Sequence, residues 1–262
     1  MHITIDSLFN IDVFLYNLLL LPKIIKKRLQ YSNVLDIAKK NNELKARKRT
    51  DTIYICGNGP SLNKVDFNKI HDDYIVLNDY FRFENKNSTN PPKYYMLLDE
   101  SYKEERFKER LDGIFNFELD TTFILNGVLY DRVKSDYPEQ FKKSYFFCPW
   151  GRLYSHKNEP DFTKMVSRTW NVVSDAILFS IFLGYKDIRL LGCDYSVFVQ
   201  NAHFYKQKQE HASLRVMLYK YCYTTHVHYE IQKFASLHGV KITNLTKNTL
   251  LDAYEIVTNS PL

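Results

Sequence analysis

The clearest local signal for chemistry is a glycine-containing loop that directly follows an apolar, β-rich run. The run covers residues 52–56, and the loop reads Gly57-Asn58-Gly59-Pro60-Ser61-Leu62. Two glycines at a strand end let the backbone turn sharply and approach a ligand closely. Pro60 or Ser61 can begin a helix whose N-terminus favours phosphate. The loop predicts either a phosphate-binding turn or a tight strand–helix connection, since it matches neither a Walker loop nor G-x-G-x-x-G.

Four polar side chains stand at the ends of predicted strands. They are Asn58, Asn78, Asp99 and Asp194. Ligands of parallel α/β sheets bind where the strands end at their carboxyl edge. We therefore expect these four side chains to share one rim of a binding site.

Histidine is the natural general base near neutral pH, and four of the histidines after the last of these strand ends are candidates. They are His203, His211, His226 and His228. We favour His203, in a loop after a strand, over His211 at the start of a long helix, because loops often carry function. The sequence has no Asp-x-Asp, so a metal-free reaction with a hydroxyl donor such as Tyr205 is expected.

The elements that must position these residues alternate between strands and helices. Strands are predicted at residues 52–56, 74–78, 93–99, 122–126, 145–148, 187–192 and 240–243, and helices at 172–183, 212–238 and 250–257. This alternation predicts an α/β fold of Rossmann type, with a mostly parallel sheet covered by helices on both faces.

The first fifty residues differ from the rest in charge. They hold ten basic and four acidic residues, so they carry the whole net charge of +6 and residues 51–262 sum to zero. An apolar stretch precedes Lys26-Lys27-Arg28, but only ten residues separate Asp12 from Lys23, too few to span a bilayer. The acidic residues come before the basic cluster, which is the reverse of a signal peptide. Residues 1–30 are expected to form a helix that either lies on an anionic membrane or packs on protein, and 39–49 a charged linker. The neutral body argues against nucleic-acid binding.

The four cysteines lie far apart in the sequence and form no C-x-x-C or zinc-type spacing. Cys56, Cys148 and Cys193 end apolar runs and are expected to be buried free thiols. This pattern favours a reducing, cytoplasmic compartment.

Several of these blocks, taken together, resemble two related groups of proteins. The blocks are the loop at 57–62 after its strand, Asn78 at the end of the second strand, and residues 183–188 leading into 190–195. One group is the bacterial sialyltransferases of glycosyltransferase family 42. The other is a glycosyltransferase-like family that includes flagellin-modifying motility accessory factors and an archaeal pterin pyrophosphokinase. Residues 240–251 resemble the C-terminal strand and loop of these groups, and the resemblance implies a single GT-A-like domain.

The resemblance also implies roles for individual residues. Asn58 and Asn78 would hold the ribose and phosphate of a CMP-activated sugar, whereas Asp99 replaces an asparagine of the sialyltransferases. The residues expected to bind the donor are Gly57, Asn58, Gly59, Pro60, Ser61, Asn78, Asp99, Arg168, Asn171 and Tyr195. The expected catalytic residues are His203, Tyr205, His211 and Asp194.

The function implied by the resemblance is metal-independent, inverting glycosyl transfer. A sialic acid or related nonulosonic acid would move from a CMP donor to a bacterial surface glycan, such as lipooligosaccharide, O-antigen or capsule. No metal and no cofactor besides the donor substrate are expected. Residues 1–50 would form the extension and 51–262 the nucleotide-sugar-binding domain, held at the inner face of the cytoplasmic membrane next to a glycan acceptor, which can be lipid-linked.

Three alternatives stay open at this point. One is a pterin pyrophosphokinase-like enzyme that uses Mg-ATP, with Asp99, Glu100 and Asp194 as possible carboxylates. Another is a glycosyltransferase with a different nucleotide-sugar donor. The third is a catalytically idle scaffold for glycan assembly. Either a monomer or a homo-oligomer is compatible with the sequence.

Overall fold

The computed structural model describes residues 5–83, 90–116, 120–196 and 213–257. Its centre is one parallel sheet, and the strand order across it is β5-β4-β3-β2-β1-β6-β7-β8. The strands are β1 Thr52–Cys56, β2 Asp73–Leu77, β3 Tyr94–Leu97, β4 Thr122–Asn126, β5 Ser144–Phe147, β6 Asp187–Leu191, β7 Lys241–Asn244 and β8 Glu255–Ile256. The predicted α/β architecture is confirmed.

Helices cover both faces of this sheet. The α-helices are α1 Ile5–Gln30, α2 Ser32–Ala38, α3 Lys108–Phe115, α4 Tyr130–Asp136, α5 Pro138–Lys142, α6 Val172–Leu183 and α7 Leu214–Leu237. On β1, Ile53 and Ile55 join the apolar core under α6 and α7, whereas Tyr54 and Cys56 join the core on the opposite face. This alternation follows from the two-residue period of a strand and gives three layers.

Helix α6 shows how local sequence sets its own limits. Asn171 caps the first turn, where its side-chain oxygen accepts a hydrogen bond of 2.7 Å from the Val173 amide. Gly184 ends the helix in the left-handed conformation, at a φ of 88°. The predicted span of this helix, 172–183, is therefore confirmed.

The connection after β5 crosses back over the sheet, so that β6 lies on the opposite side of β1 from β2. Strands β2 to β5 extend from one side of β1, and β6 returns to pair with its other side, in register from Thr52 with Asp187 to Cys56 with Leu191. Such a switch point leaves a crevice at the carboxyl ends of the two neighbouring strands. The loops that follow β1 and β6 are therefore the first place to look for a ligand site.

Helix α1 packs on α7 with one face. The rings of Phe9 and Tyr16 lie 5.6 and 4.8 Å from the ring of Tyr223, and the Tyr223 hydroxyl donates to Asp12. Its opposite face exposes a row of large apolar side chains at helical spacing, namely Ile11, Phe14, Leu15, Leu18, Leu19, Ile25 and Leu29. Packing on the domain is thus observed for one face, and membrane contact stays a prediction for the other. None of the described helices is both long and apolar enough to cross a bilayer.

Two segments differ from the prediction. Residues 39–49, predicted as a solvated linker, include a 3-10 helix, Lys39–Arg47, in which Asn41 and Leu44 are buried. The Asn41 amide donates to the carbonyls of Phe146 and Phe162 at 2.8 and 2.7 Å, so this segment is tied to the core. Residues 250–257, predicted as a short helix, contain β8, because backbone pairing with β7 outweighs local helical spacing. The division at residue 50 into two functional parts stays a prediction.

The cysteine prediction is confirmed for three residues. Cys56, Cys148 and Cys193 are buried free thiols, and burial raises the pKa of Cys148 and of Cys193 to about 12. They are inert packing groups at neutral pH.

Candidate active site

The glycine loop packs tightly against the end of β6. The Gly57 and Gly59 amides each donate a 2.8 Å hydrogen bond, to the carbonyls of Leu191 and Gly192. A Cβ on Gly57 would lie 2.5 Å from the Gly192 oxygen, and one on Gly59 would lie 1.9 Å from a carboxylate oxygen of Asp194. Gly57 and Gly59 are therefore required for the close approach of two loops, whereas it is Gly192 that adopts a positive φ, of 62°.

Asp194 clamps the glycine loop from the β6 side. Its Oδ2 accepts hydrogen bonds from the Ser61 hydroxyl at 2.7 Å and the Ser61 amide at 3.3 Å. Pro60 does occupy the first helical position, as predicted, but the helix is only a 3-10 turn, Pro60–Lys64. Asp194 therefore already accepts from the Ser61 amide, and phosphate binding at this turn stays a prediction.

A cavity of about 310 Å³ opens beside this loop, at the switch point between β1 and β6. Its walls include Gly57, Asn58 and Gly59 after β1, Asn78 after β2, and the segment from Gly192 to Ser196 after β6. Asn58 donates its amide to the Leu77 carbonyl at 3.1 Å, which orients the side chain. Three of the four predicted rim residues, Asn58, Asn78 and Asp194, therefore meet at one cavity.

Two hydrogen-bond acceptors in this cavity have no partner. The side-chain oxygens of Asn58 and Asn78 are both buried, and neither accepts a hydrogen bond. A buried polar atom left unpaired costs about 1–3 kcal/mol, so such atoms are normally satisfied by a ligand or water. The two oxygens are suited to donors such as sugar hydroxyls or an exocyclic amine.

The N-terminus of α6 forms another wall. Trp170, Asn171, Val172 and Val173 line the cavity, and Trp170 holds a left-handed conformation, at a φ of 63°. The positive end of a helix dipole is thus directed towards the cavity, which favours a negative group there. Asn171, predicted from the sequence, is both the cap of this helix and part of the wall.

One face of α7 supplies four residues that were not predicted from the sequence, together with His228, one of the four candidate bases. Met217, Lys220, Tyr221, Thr224 and His228 line the cavity. Their spacing of three or four residues is the signal that could have found them, because it places them along one side of a helix. Among the described residues of the wall, Lys220 is the cationic side chain that can face a phosphate.

His228 is buried and fully engaged. Its Nε2 pairs with the Ser174 hydroxyl at 3.1 Å, and its Nδ1 pairs with the Tyr254 hydroxyl at 2.9 Å. Burial lowers the pKa of His228 to about 3. The ring is therefore neutral at physiological pH, but it is too weak a base to take a proton from an acceptor.

The hydroxyl of Tyr195, a residue predicted to bind the donor, already has hydrogen-bond partners. It pairs with Thr224 Oγ1 at 2.9 Å and Thr225 Oγ1 at 3.1 Å, and burial raises the pKa of the phenol. The Tyr221 hydroxyl donates to the Tyr195 carbonyl at 2.7 Å. Tyr195 thus lines the cavity with its ring and joins α7 to the end of β6.

Two other predicted donor-binding residues lie elsewhere. Asp99 is exposed and caps the 3-10 turn Glu100–Lys103, where it accepts from the Ser101 amide at 2.9 Å, and it does not line the cavity. Arg168 lines a neighbouring groove, with its guanidinium 5.1 Å from the Trp170 ring. The strand order explains why Asp99 lies outside the cavity, because β3 lies two strands away from β1.

Three of the predicted catalytic residues cannot be placed. His203, Tyr205 and His211 lie outside the described residues. The ring of His226, the remaining predicted candidate, lies 4.9 Å from the ring of Phe9 of α1 at an interplanar angle of 57°, and His226 does not line the cavity. Within the described ranges, no three His, Cys, Asp or Glu side chains come together as a metal site, and the metal-free reaction stays a prediction.

Comparison with known proteins finds matches among solved structures. No family model matches the sequence, and no curated protein matches it. Among solved structures, the chain is similar to the Campylobacter jejuni sialyltransferase CstII in complex with the substrate analogue CMP-3FNeuAc, at 20% identity and a TM-score of 0.47, over 79% of this chain and 86% of that one. It is also similar to the α-2,3-sialyltransferase Cst-I of the same organism, at 16% identity and a TM-score of 0.48, over 79% of each chain.

A third similar structure is CstII in complex with a trisaccharide acceptor and CMP, at 19% identity and a TM-score of 0.46. It covers 78% of this chain and 84% of that one. The chain is thus similar in structure to the sialyltransferases that its sequence blocks resemble, at low identity.

Proposed function

We propose that the protein is a glycosyltransferase that moves a sialic acid or a related nonulosonic acid from a CMP donor to a glycan of the bacterial surface. The observation that carries the proposal is the cavity at the switch point, with the unpaired side-chain oxygens of Asn58 and Asn78 in its wall. A nucleotide supplies the missing donors through its ribose hydroxyls or the amino group of cytosine. Lipooligosaccharide, O-antigen and capsule are the acceptors that this proposal includes.

The same cavity can accommodate the charge of the nucleotide. Lys220 on α7 and the N-terminus of α6 lie on its walls and favour a phosphate. The carboxylate of Asp194 is held by Ser61, so it fixes the loop that carries Asn58. We assign Asp194 to positioning the loop, and Lys220 to binding the phosphate.

The transfer requires one bond to break and one to form. The acceptor oxygen bonds to the anomeric carbon as the bond from that carbon to the phosphate oxygen breaks, and CMP leaves with the added negative charge. Lys220 and the α6 N-terminus stabilise this charge. The acceptor proton passes to a base, which we still assign to His203 or His211, because the pKa of His228 is about 3 and both of its ring nitrogens are engaged.

Membrane association is part of the proposal. The exposed apolar row on α1 is accompanied towards the end of the helix by cationic residues, including Lys23, Lys26 and Arg28, as expected for a helix on an anionic lipid surface. We therefore place the protein on the inner face of the cytoplasmic membrane. Replacing Leu19, which is 77% exposed, with Asp should weaken co-flotation with anionic vesicles, and unchanged flotation would contradict this placement.

A thermal-shift screen of CMP, CMP-sialic acid, UDP and GDP, with and without Mg²⁺, tests the donor. Cytidine nucleotides should stabilise the protein without Mg²⁺, because ligand binding to the folded state raises its melting temperature. Stabilisation by UDP or GDP alone would contradict the CMP assignment. Stabilisation that needs Mg²⁺ and ATP would favour pyrophosphoryl transfer instead.

A matched pair of variants links the donor to the cavity. Replacing Asn58 with Ala should weaken CMP binding by about 2- to 13-fold, the range expected for one lost hydrogen bond. Asn68 is exposed on the surface, and its replacement with Ala is the control. Equal CMP affinity in both variants would show that the nucleotide does not bind at this cavity.

A further inference from the structure

A second, larger concavity lies next to the proposed donor site. It is a groove of about 980 Å³ between α1, α7 and the segment before α6. Leu20 of α1 forms one wall, and Leu214 and Leu218 of α7 form another. Leu214 and Leu218 are 63% and 51% exposed, although large apolar side chains are normally covered.

The groove carries positive charge at its apolar walls. Of the described residues that line it, four are cationic and none is acidic, and the four are Lys23, Arg168, Arg215 and Lys220. The Nε of Arg168 is buried without a hydrogen-bond partner. A buried cationic donor calls for an anionic acceptor. Apolar walls together with these four cations fit a molecule that has both a hydrocarbon chain and a phosphate.

The groove and the donor cavity share part of their walls. Trp170 and Lys220 line both of them. A molecule held in the groove would therefore lie directly beside the proposed donor. The exposed apolar row of α1, the helix that also supplies Leu20, extends along the outside of the molecule.

We propose that this groove binds the lipid-phosphate part of the acceptor, so that the glycan to be extended is carried on a phosphorylated lipid. The hydrocarbon would lie against Leu20, Leu214 and Leu218, and the phosphate against Arg168 and Arg215. The attached glycan then reaches the donor past Trp170 and Lys220. This inference rests on the proposed function, since it names the class of acceptor for that site.

Tryptophan fluorescence gives a direct readout of the groove. The chain has two tryptophans, and Trp150 is buried, whereas Trp170 is 40% exposed in the groove wall. The full-length protein is titrated with dodecyl phosphate, with the neutral amphiphile dodecyl maltoside, and with inorganic phosphate. Dodecyl phosphate should change the emission saturably and below its micellar concentration, and the Trp170→Phe variant should lose this response.

Matched variants on α7 separate the groove from the rest of the surface. Leu218→Asn and Arg215→Gln should each weaken dodecyl phosphate binding by about three- to tenfold, by loss of apolar contact and of charge. Leu237→Asn and Lys233→Gln, on the same helix outside the groove, are the controls and should bind as the wild type does. Equal binding of the phosphate and the maltoside, or equal binding by all four variants, would overturn the proposal.

Two further measurements distinguish the possible failures. CMP binding by Leu218→Asn and Arg215→Gln should equal that of the wild type, because neither residue lines the donor cavity. If dodecyl phosphate binds but CMP does not, the proposed function fails and the lipid-phosphate groove stands. If analytical ultracentrifugation shows a dimer that Leu218→Asn abolishes, and dodecyl phosphate does not compete with it, the groove is an interface between two copies and the proposal is wrong.

Discussion

His228 offers a quantitative test of the buried network beside the cavity. The folded protein keeps this ring neutral, because burial lowers its pKa to about 3, whereas an unfolded chain would bind a proton near the ordinary value of about 6.5. Between these two values unfolding takes up a proton at His228. Stability from this group is therefore complete above about pH 6.5 and is lost as the pH falls towards 3.

The stability lost at a given pH follows from how far that pH lies below the ordinary histidine pKa. Because pH 5 lies about 1.5 pH units below the ordinary histidine pKa, keeping the ring neutral lowers the unfolding free energy at pH 5 by about 2 kcal/mol relative to pH 7.5. The replacement His228→Gln removes the titrating group and retains polar atoms near Ser174 and Tyr254. The variant will be less stable than the wild type at pH 7.5, and the difference between their unfolding free energies should be smaller by about 2 kcal/mol at pH 5.

Urea unfolding from pH 5 to pH 8 measures this difference directly. Other groups titrate in both proteins, so the difference between the two unfolding free energies isolates His228. His238→Gln, at the exposed end of α7, controls for loss of a histidine as such. A wild-type-minus-variant difference that stays constant within about 0.5 kcal/mol between pH 5 and pH 7.5 would refute the assignment of a neutral, buried ring.

Three further predictions concern the loop, the phosphate and α6. Gly59→Ala should weaken CMP binding at least about tenfold in a calorimetric titration and lower the unfolding free energy by about 1–3 kcal/mol, because the added Cβ would lie 1.9 Å from Asp194 Oδ2. A variant with wild-type affinity and stability would show that the two loops separate easily. Lys220→Met should weaken CMP binding about three- to tenfold, most at low salt, whereas Lys233→Met should not. Asp175 is fully buried, and burial raises its pKa to about 8, so the folded protein holds a proton that the unfolded chain loses above about pH 4. The unfolding free energy of Asp175→Asn, measured with urea, should therefore rise relative to that of the wild type as the pH increases from 4 to 8, by up to about 4 kcal/mol at pH 7. A difference between the two proteins that does not change with pH would contradict this.

Much of the architecture could be predicted from local pattern. The apolar runs gave the strands to within one or two residues, and Asn171 and Gly184 set the ends of α6 through capping and a left-handed turn. Residues 250–257 could not be predicted this way, because β8 depends on pairing with β7, which no local spacing encodes. The burial of Asn41 likewise depends on carbonyls more than one hundred residues away.

The site divides along the same line. The sequence by itself determined that polar residues stand at strand ends, because a strand's end and its next side chain are neighbours in the chain. Only the tertiary structure decided which ends meet: the strand order brings the loops after β1 and β6 together and leaves Asp99 outside. It also turned Lys220 and His228 of α7 towards the cavity, and made the groove, since a helix acquires an inner and an outer face only when it packs.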